Sequence, residues 1–263
     1  MTDPNQPLRE LLGVVAGLCP EDDLFLIGGL AVHHRIVGPV RVEDIEQVAT
    51  LAEIRESLPC LTRVTADIDV GVRATDLSRL DAGMRGQGFD TLRSRPPPQR
   101  YFRGSDRVDV ISLPERSKSV PLGTQAELPH LVAALVPEFE AAPELGLRVF
   151  VATPLVLVIL KCVAFDTRHE ARDCVDISRL ALEDRKSGKI RDTLPAAVQR
   201  LPRGVRESIR RTRQAFATPG GAAAGHLLRS LRDALRWDED DSEMEYLLRQ
   251  DISKAVSELL SLR

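Results

Sequence analysis

The chain has 263 residues, of which 36 are Lys or Arg and 39 are Asp or Glu, so its formal charge is only -3. This near-neutral total gives no global electrostatic case for nucleic-acid binding, so any such site must be local. Hydrophobic residues make up 43% of the chain, which suffices for one large domain or two modest ones. The polar start lacks the pattern of a signal peptide, and the longest apolar run, residues 155–160, is far too short to span a bilayer. We therefore expect a soluble, cytoplasmic protein with no membrane partner.

The first part of the chain alternates between two periodicities. Apolar residues three and four positions apart indicate helices, and short apolar or alternating runs indicate strands. In chain order the sequence predicts a helix over 7–18, a strand over 23–27, a helix over 30–37, a helix over 42–58, a strand over 63–72, a helix over 75–89 with Thr75 or Asp76 as its N-cap, a hairpin arm over 100–113 and a strand over 147–152. The proline-rich residues 114–146 are expected to be irregular.

The composition changes at Thr153. This residue is a good N-cap and Pro154 fits the first helical position, so TPLVLVILKCVAF predicts a strong helix. No strand pattern follows, and the remainder is typical of helices separated by Pro and Gly. We therefore predict an α+β fold: an α/β domain over residues 1–152, in which helices flank a small mixed sheet, and an all-helical domain over residues 153–263.

The cysteines indicate reduced thiols. Cys19, Cys60, Cys162 and Cys174 form no CxxC pair, and no His cluster accompanies them. This spacing argues against structural zinc and against a disulfide framework. We expect most of these thiols to be buried and reduced.

Two carboxylates stand in a predicted strand, where acidic residues are rare. In RVTADIDV (63–70), alternation places Asp67 and Asp69 on one face, where they repel each other unless a positive group lies between them. Asp109 lies in a later predicted strand. Three carboxylates on adjacent strands would form an oxygen-ligand site for one or two Mg²⁺ or Mn²⁺ ions, which suits phosphoryl or nucleotidyl transfer. The competing interpretation is a solvated edge strand, with Asp109 an ordinary surface residue beside Arg107.

Two further features suit a phosphate ligand. Gly28-Gly29 lies between a strand and a helix, where backbone N–H groups and the helix N-terminus can bind an anion, unless the pair is simply a tight turn. Lys161 interrupts an apolar helix. Its ammonium must therefore reach solvent, a carboxylate or a ligand anion.

These motifs, in this order, resemble a known family. "IGG" followed by "DIDV" and a third Asp in a later strand resembles the core signature of the DNA polymerase β-like nucleotidyltransferases. The run Arg63-x-Thr65-x-Asp67-Ile68-Asp69 resembles the AbiEii-type toxins of abortive-infection and type IV toxin–antitoxin systems, including the MenT-type toxins. The run LKCVAFDTRHEARDCVDI (160–177) resembles a helix pair of that family, with matches at Lys161, Ala164, Arg168, Arg172, Asp173 and Asp176.

The resemblance implies a metal-dependent nucleotidyltransferase that moves an NMP from an NTP to an acceptor. It implies metal ligation by Asp67, Asp69 and Asp109, and catalytic roles for Asp67 and Asp69 together with Lys161 and Asp173, the last favoured over Asp176. The nucleotide-binding residues it implies are Gly28, Gly29, Arg63, Thr65 and Lys161. The implied acceptor is the 3′ end of tRNA, which would make the protein a toxin with a cognate antitoxin. The alternatives are a small-molecule acceptor such as an aminoglycoside, a protein hydroxyl, or a non-catalytic binding module on this fold.

A basic stripe lies further along the chain. Its members, at helical spacing, are Arg203, Arg206, Arg210 and Arg213. They could neutralise phosphates of an RNA acceptor, or form a solvated face, or pair with the acidic run 237–246. The chain has only seven Phe, two Tyr and one Trp, so contact with the RNA backbone is expected rather than base stacking.

Overall fold

The computed structural model describes residues 6–18, 23–36, 67–73, 77–92, 99–114, 128–146, 148–218, 221–235 and 242–262. The predicted helix over 42–58, the residues Arg63 and Thr65, and both candidate N-caps, Thr75 and Asp76, lie outside these ranges. The described residues form two compact units. The first unit takes its residues from Met1–Arg35 and Val64–Leu157, and the second unit takes them from Ile36–Arg63 and Val158–Arg263. The domain boundary at 152/153 stays a prediction.

The first unit contains one mixed sheet with helices. In chain order its elements are α1 (Gln6–Leu18), β1 (Leu24–Ile27), α2 (Gly28–Arg35), β2 (Ile68–Val72), α3 (Ser78–Gly86), β3 (Asp90–Leu92), β4 (Gln99–Arg103), β5 (Asp106–Ser112), α4 (Leu128–Leu135), β6 (Phe139–Ala141) and β7 (Val149–Ala152). The strand order is β3-β4-β5-β2-β1-β7-β6. The pairs β2–β5 and β1–β7 are parallel, and the other pairs are antiparallel. The strand that carries Asp69, β2, is therefore central.

Apolar runs explain why the middle strands are buried. All four residues of β1 are buried, which is typical of a strand covered on both faces. In β2, Ile68, Val70 and Val72 are buried, and in β5, Val108 and Val110 are buried. These β-branched residues suit a pleated, packed surface. The buried apolar residues of β2 and β5 thus hold in place the polar residues that alternate with them, Asp69 and Asp109.

The prediction that residues 114–146 are irregular is wrong where these residues are described. Helix α4 and strand β6 lie there. Pro129 is the second residue of α4, where a missing N–H breaks no helical hydrogen bond, and Pro137 lies in a single 3-10 turn. Leu131, Val132 and Leu135 are buried at helical spacing. The prolines therefore bound short elements rather than prevent them.

Several boundaries in the first unit also differ from the predicted ones. Helix α2 begins at Gly28 and not at residue 30. Helix α3 begins at Ser78, later than the predicted residue 75, with Leu77 at the N-cap position and no side-chain cap hydrogen bond from Leu77. The short edge strand β3 was not predicted. These differences arise at element ends, where the periodic signal is weakest.

The second unit is helical in its described part. Helix α5 (Pro154–Arg168) contains the boundary between the units and is followed by α6 (Ala171–Ser187), α7 (Lys189–Gln199), α8 (Arg203–Phe216), α9 (Ala222–Leu235) and α10 (Ser242–Leu259). The predicted α+β fold with a helical C-terminal half is confirmed. Thr153 Oγ1 accepts the N–H of Val156 at 3.5 Å, as expected of an N-cap. Among the described helices, none combines the length and apolar character needed to cross a membrane.

Asp184 caps the start of α7 from within α6. Its Oδ1 accepts the N–H of Ile190 at 2.8 Å, and its Oδ2 accepts the N–H of Arg191 at 3.1 Å. The chain reaches α7 through Gly188 in the left-handed region, at φ 67°. Because the first N–H groups of a helix have no partner within it, this carboxylate supplies the acceptors that α7 lacks.

We expect Asp184→Ala to lower the free energy of unfolding by about 2–3 kcal/mol, because two N–H groups at a buried helix start lose their acceptor. Urea or thermal unfolding measures the loss. The matched control is Asp192→Ala, which removes an exposed carboxylate from the first turn of the same helix. It should cost less than about 1 kcal/mol, and equal losses in the two variants would contradict the capping role.

Candidate metal centre

Three carboxylates meet at the centre of the first unit's sheet. Strands β2 and β5 pair in parallel with Asp69 opposite Asp109. Asp67 comes immediately before β2, two residues from Asp69 and therefore on the same face. One oxygen from each carboxylate lies within 4.8 Å of the other two. Asp67 and Asp109 are buried and Asp69 is half-buried, so the structure brings together the three predicted ligands, which we call the Asp cluster.

Gly28 makes room for one member of the Asp cluster. Ile27 pairs with Asp69 across β1 and β2, so the chain turns into α2 directly beside this carboxylate. Gly28 has a φ of +75°, and a Cβ atom built on it would lie 2.1 Å from Asp69 Oδ2. The position therefore requires glycine for its backbone conformation and for its closeness to Asp69. Gly29 is buried in the first turn of α2, and phosphate binding by the two glycines stays a prediction.

A guanidinium lies among the carboxylates. Arg107 Nε and Nη2 donate to the two oxygens of Asp109 at 2.9 and 2.5 Å, and its Nη1 lies 3.5 Å from Asp67 Oδ2. The sequence identifies Arg107 only as a neighbour of Asp109 and does not predict its contacts with the carboxylates of Asp109 and Asp67. The available signal was the spacing of two residues, which places both side chains on one face of β5.

Arg100 adds a second, looser positive charge. It lies on β4 opposite Asp109, with its Nε 3.5 Å from Asp109 Oδ2. Within the described part of the chain, these three carboxylates and two guanidiniums together carry one net negative charge. The hydrogen bond from Arg107 to Asp109, and then the charges of Asp109, Asp67 and Asp69, raise the pKa of Arg107. The repulsion among the carboxylates is thus partly offset by protein cations.

The donor set fits a small divalent cation. All three candidate ligands are carboxylates, and Mg²⁺ and Mn²⁺ prefer oxygen ligands. Three protein ligands leave coordination positions for water and phosphate, as Mg²⁺ sites generally do. Asp67, Asp69 and Asp109 are the residues that would hold the ion. The contact that must change is the pair of hydrogen bonds from Arg107 to Asp109.

In the second unit, α5 and α6 enclose an ionic cluster. Lys161 Nζ lies 2.6 Å from Asp176 Oδ2 and 3.4 Å from Asp173 Oδ1. Arg168 Nε and Nη2 donate to the two oxygens of Asp173 at 2.7 and 2.8 Å. Lys161 and both aspartates are buried. Of the three environments that the sequence allowed for the ammonium, the structure places carboxylates around it.

These contacts bear on the predicted catalytic roles of Lys161 and Asp173. Asp173 has both oxygens engaged by Arg168, and Arg172 pairs with Glu170. This is the arrangement of a salt-bridged helix start. Removing one partner of such a buried pair leaves an uncompensated charge, so a loss of function in either variant must be separated from a loss of folding.

The predicted basic stripe lies on the exposed side of α8. Its four arginines, Arg203, Arg206, Arg210 and Arg213, are exposed, whereas Val205, Ile209 and Phe216 on the opposite side are buried. Arg210 pairs with Glu207 at 3.0 Å, and Arg213 Nε donates to the carbonyl of Ser257 at 3.1 Å. Residues 237–241 of the acidic run lie outside the described residues, so pairing of the arginines with them stays an open alternative.

Two of the four cysteines can be described. Cys162 and Cys174 are free and buried, and burial raises the pKa of each thiol to about 12. They remain protonated and unreactive at neutral pH, in agreement with the expected reduced thiols. Cys19 and Cys60 lie outside the described ranges.

Fold and site together define an α+β protein in which three carboxylates and the guanidinium of Arg107 meet at the centre of a mixed sheet. No protein-family model, no curated protein and no solved structure matches this chain. The resemblance to nucleotidyltransferase toxins therefore stays a hypothesis, and the geometry of the Asp cluster is the main support for a function.

Proposed function

We propose that this protein is a metal-dependent nucleotidyltransferase of the DNA polymerase β-like class. The observation that carries the proposal is the Asp cluster, in which Asp67, Asp69 and Asp109 bring oxygens within 4.8 Å of one another. A bound Mg²⁺ or Mn²⁺ supplies Lewis-acid stabilisation of phosphoryl charge and makes an acceptor hydroxyl easier to deprotonate. In the reaction, the acceptor hydroxyl loses its proton to water and its oxygen bonds to the α-phosphorus of an NTP. The bond between the α-phosphorus and the oxygen that bridges to the β-phosphorus breaks, and pyrophosphate leaves.

The protein groups have separate tasks in this proposal. β2 with the residue before it, and β5, fix the backbone positions of the three carboxylates of the Asp cluster, so the side-chain contact that changes when a cation binds is that of Arg107 with Asp109. The first N–H groups of a helix have no acceptor within it, and in this proposal those of α2, at Gly28 and Gly29, donate to a phosphate. The closeness of Gly28 to Asp69 places this helix start beside the cluster. Lys161 and Asp173 remain proposed catalytic residues on the strength of the resemblance.

We propose RNA as the acceptor, and specifically the 3′ end of tRNA. The exposed stripe of four arginines on α8 supports this, because backbone phosphates bind surface arginines without base stacking. Modification of tRNA would block translation in the cytoplasm, so the protein would act as a toxin held in check by a cognate antitoxin, as in type IV systems.

The second candidate is a non-catalytic binding module on the same fold. The bridge from Arg107 to Asp109 favours it, because a protein cation then neutralises part of the Asp cluster. This candidate predicts no metal-dependent NTP binding.

Incubation with total RNA, Mg²⁺ and each α-phosphate-labelled NTP in turn tests these proposals. We expect label in tRNA-sized RNA with one of the four nucleotides. The double variant Arg206→Glu and Arg210→Glu should raise the KM for RNA roughly tenfold or more, because two phosphate contacts become repulsive. Arg191→Glu, an exposed arginine on α7, is the control. Label in a small molecule or a protein would change the acceptor, and the absence of both transfer and NTP binding would favour the second candidate.

A further inference from the structure

Two of the described arginines, Arg107 and Arg100, lie against the Asp cluster, and Arg107 is the one that donates to both oxygens of Asp109. We propose that the Arg107 guanidinium competes with the metal, so that a divalent cation binds tightly only when the guanidinium leaves Asp109. This inference rests on the proposed function in one respect, that the Asp cluster takes a divalent cation.

The competition follows from the oxygens involved. Arg107 engages both oxygens of Asp109 at 2.9 and 2.5 Å and approaches Asp67 Oδ2 at 3.5 Å. Whichever oxygen Asp109 offers to a metal therefore already accepts a hydrogen bond from Arg107, and it lies within 4.8 Å of an oxygen of Asp67 and of Asp69. A divalent ion on the same carboxylates would stand within a few ångströms of the guanidinium. Their repulsion is twice that of two unit charges and is weakly screened beside buried groups.

Arg100 differs from Arg107 in a way that provides a comparison. Its Nε reaches one oxygen of Asp109 at 3.5 Å, without the paired, forked hydrogen bonds that hold Arg107. The Arg107 side chain is 28% exposed, so the guanidinium has access to solvent when it leaves. We therefore infer that Arg107 moves and that Arg100 can stay in place.

The displaced guanidinium needs a new partner. The polyphosphate of an NTP is the matching anion, because a forked guanidinium binds phosphate as it binds carboxylate. When a metal ion binds together with its NTP, Asp109 would therefore bind the metal and Arg107 would bind the polyphosphate. When a metal ion binds alone, the Arg107 guanidinium would be left in water. It follows that Mn²⁺ should bind the wild-type protein more tightly in the presence of a non-hydrolysable NTP analogue, and that Arg107→Met should weaken this coupling.

The test is Mn²⁺ binding to the metal-stripped full chain, measured as free Mn²⁺ by electron paramagnetic resonance. We expect Arg107→Met to lower the Kd for Mn²⁺ roughly tenfold or more, since the nearest positive charge is gone. Arg100→Met should lower it less, by roughly threefold at most, because this charge is held more loosely. Arg103→Met is the matched control for net charge, since Arg103 pairs with Asp106 at the end of the hairpin, and its Kd should be that of the wild type.

Thermal unfolding supplies a second readout and verifies that the variants fold. Without metal, Arg107→Met should have a lower Tm than the wild type, because the Asp cluster loses the guanidinium that donates to both oxygens of Asp109. Saturating Mn²⁺ should raise the Tm of Arg107→Met more than that of the wild type, since tighter ligand binding stabilises the folded state more.

The outcomes separate this inference from the proposed function. If the wild type binds Mn²⁺ and Arg107→Met binds it no more tightly than Arg103→Met, the inference is overturned and the metal site stands. If only Arg107→Met binds Mn²⁺, the inference is supported, because Arg107 then prevents metal binding to the Asp cluster of the wild type. If neither binds Mn²⁺, the inference and the proposed metal site both fail.

Discussion

Asp69→Asn is expected to reduce nucleotidyl transfer by a factor of roughly 1,000 or more, because metal-assisted charge stabilisation contributes several kcal/mol and each 1.36 kcal/mol is tenfold in rate. Asp69 lies on the central strand opposite Asp109, so its carboxylate cannot be replaced from a neighbouring position. The asparagine keeps the shape of the side chain and removes its charge. Incorporation of α-labelled nucleotide measures the loss, and any growth inhibition on induced expression should disappear with it.

The stability of this variant should change in the opposite direction. Removing one of three repelling carboxylates relieves a strain of the metal-free fold, so we expect the Tm to stay level or rise. Asp90→Asn, at an exposed position of β3, is the control and should retain full transfer. A folded Asp69→Asn or Asp69→Ala protein that still inhibits growth would contradict the proposed mechanism.

Gly28→Ala is expected to lower transfer roughly 100-fold, because displacement of a catalytic group by about 1 Å has an effect of this size. The added Cβ atom would lie 2.1 Å from Asp69 Oδ2 and 2.9 Å from its Cγ, so the carboxylate must move away from the Asp cluster. Alanine at a φ of +75° should also cost about 1–3 kcal/mol of stability. Transfer assays and thermal unfolding measure the two effects separately.

Gly88→Ala separates backbone strain from the clash. Gly88 has a φ of +80°, and a Cβ there would meet only Arg103 Cδ at 4.0 Å. This variant should lose a similar amount of stability and keep its transfer activity. Similar losses of activity in both variants would mean that strain, rather than contact with Asp69, explains the role of Gly28.

The sequence alone determined the features that depend on neighbouring residues. Alternation placed Asp67 and Asp69 on one face because side chains in a strand have a period of two residues. Apolar residues separate the two aspartates and follow them, as is typical of a packed strand, and β2 is central in the sheet. Thr153 and Pro154 marked the start of α5, because N-cap preferences are local. The proline content of residues 114–146 led to a wrong prediction of irregular structure. The effect of a proline depends on its position in a turn or helix, as at Pro129, the second residue of α4.

Only the tertiary structure decided which distant groups meet. The parallel pairing of β2 with β5, which sets Asp69 opposite Asp109, joins segments whose register depends on burial across the whole sheet. The same holds for Lys161. The sequence allowed solvent, a carboxylate or a ligand anion as the partner of its ammonium, and the packing of α5 and α6 places it against Asp176. Arg107 is the clearest case: local spacing puts it on the face of Asp109, but only the assembled strands bring its guanidinium to Asp67 as well. Local periodicity is a property of a short segment, whereas a charge finds its partner only after the chain has folded.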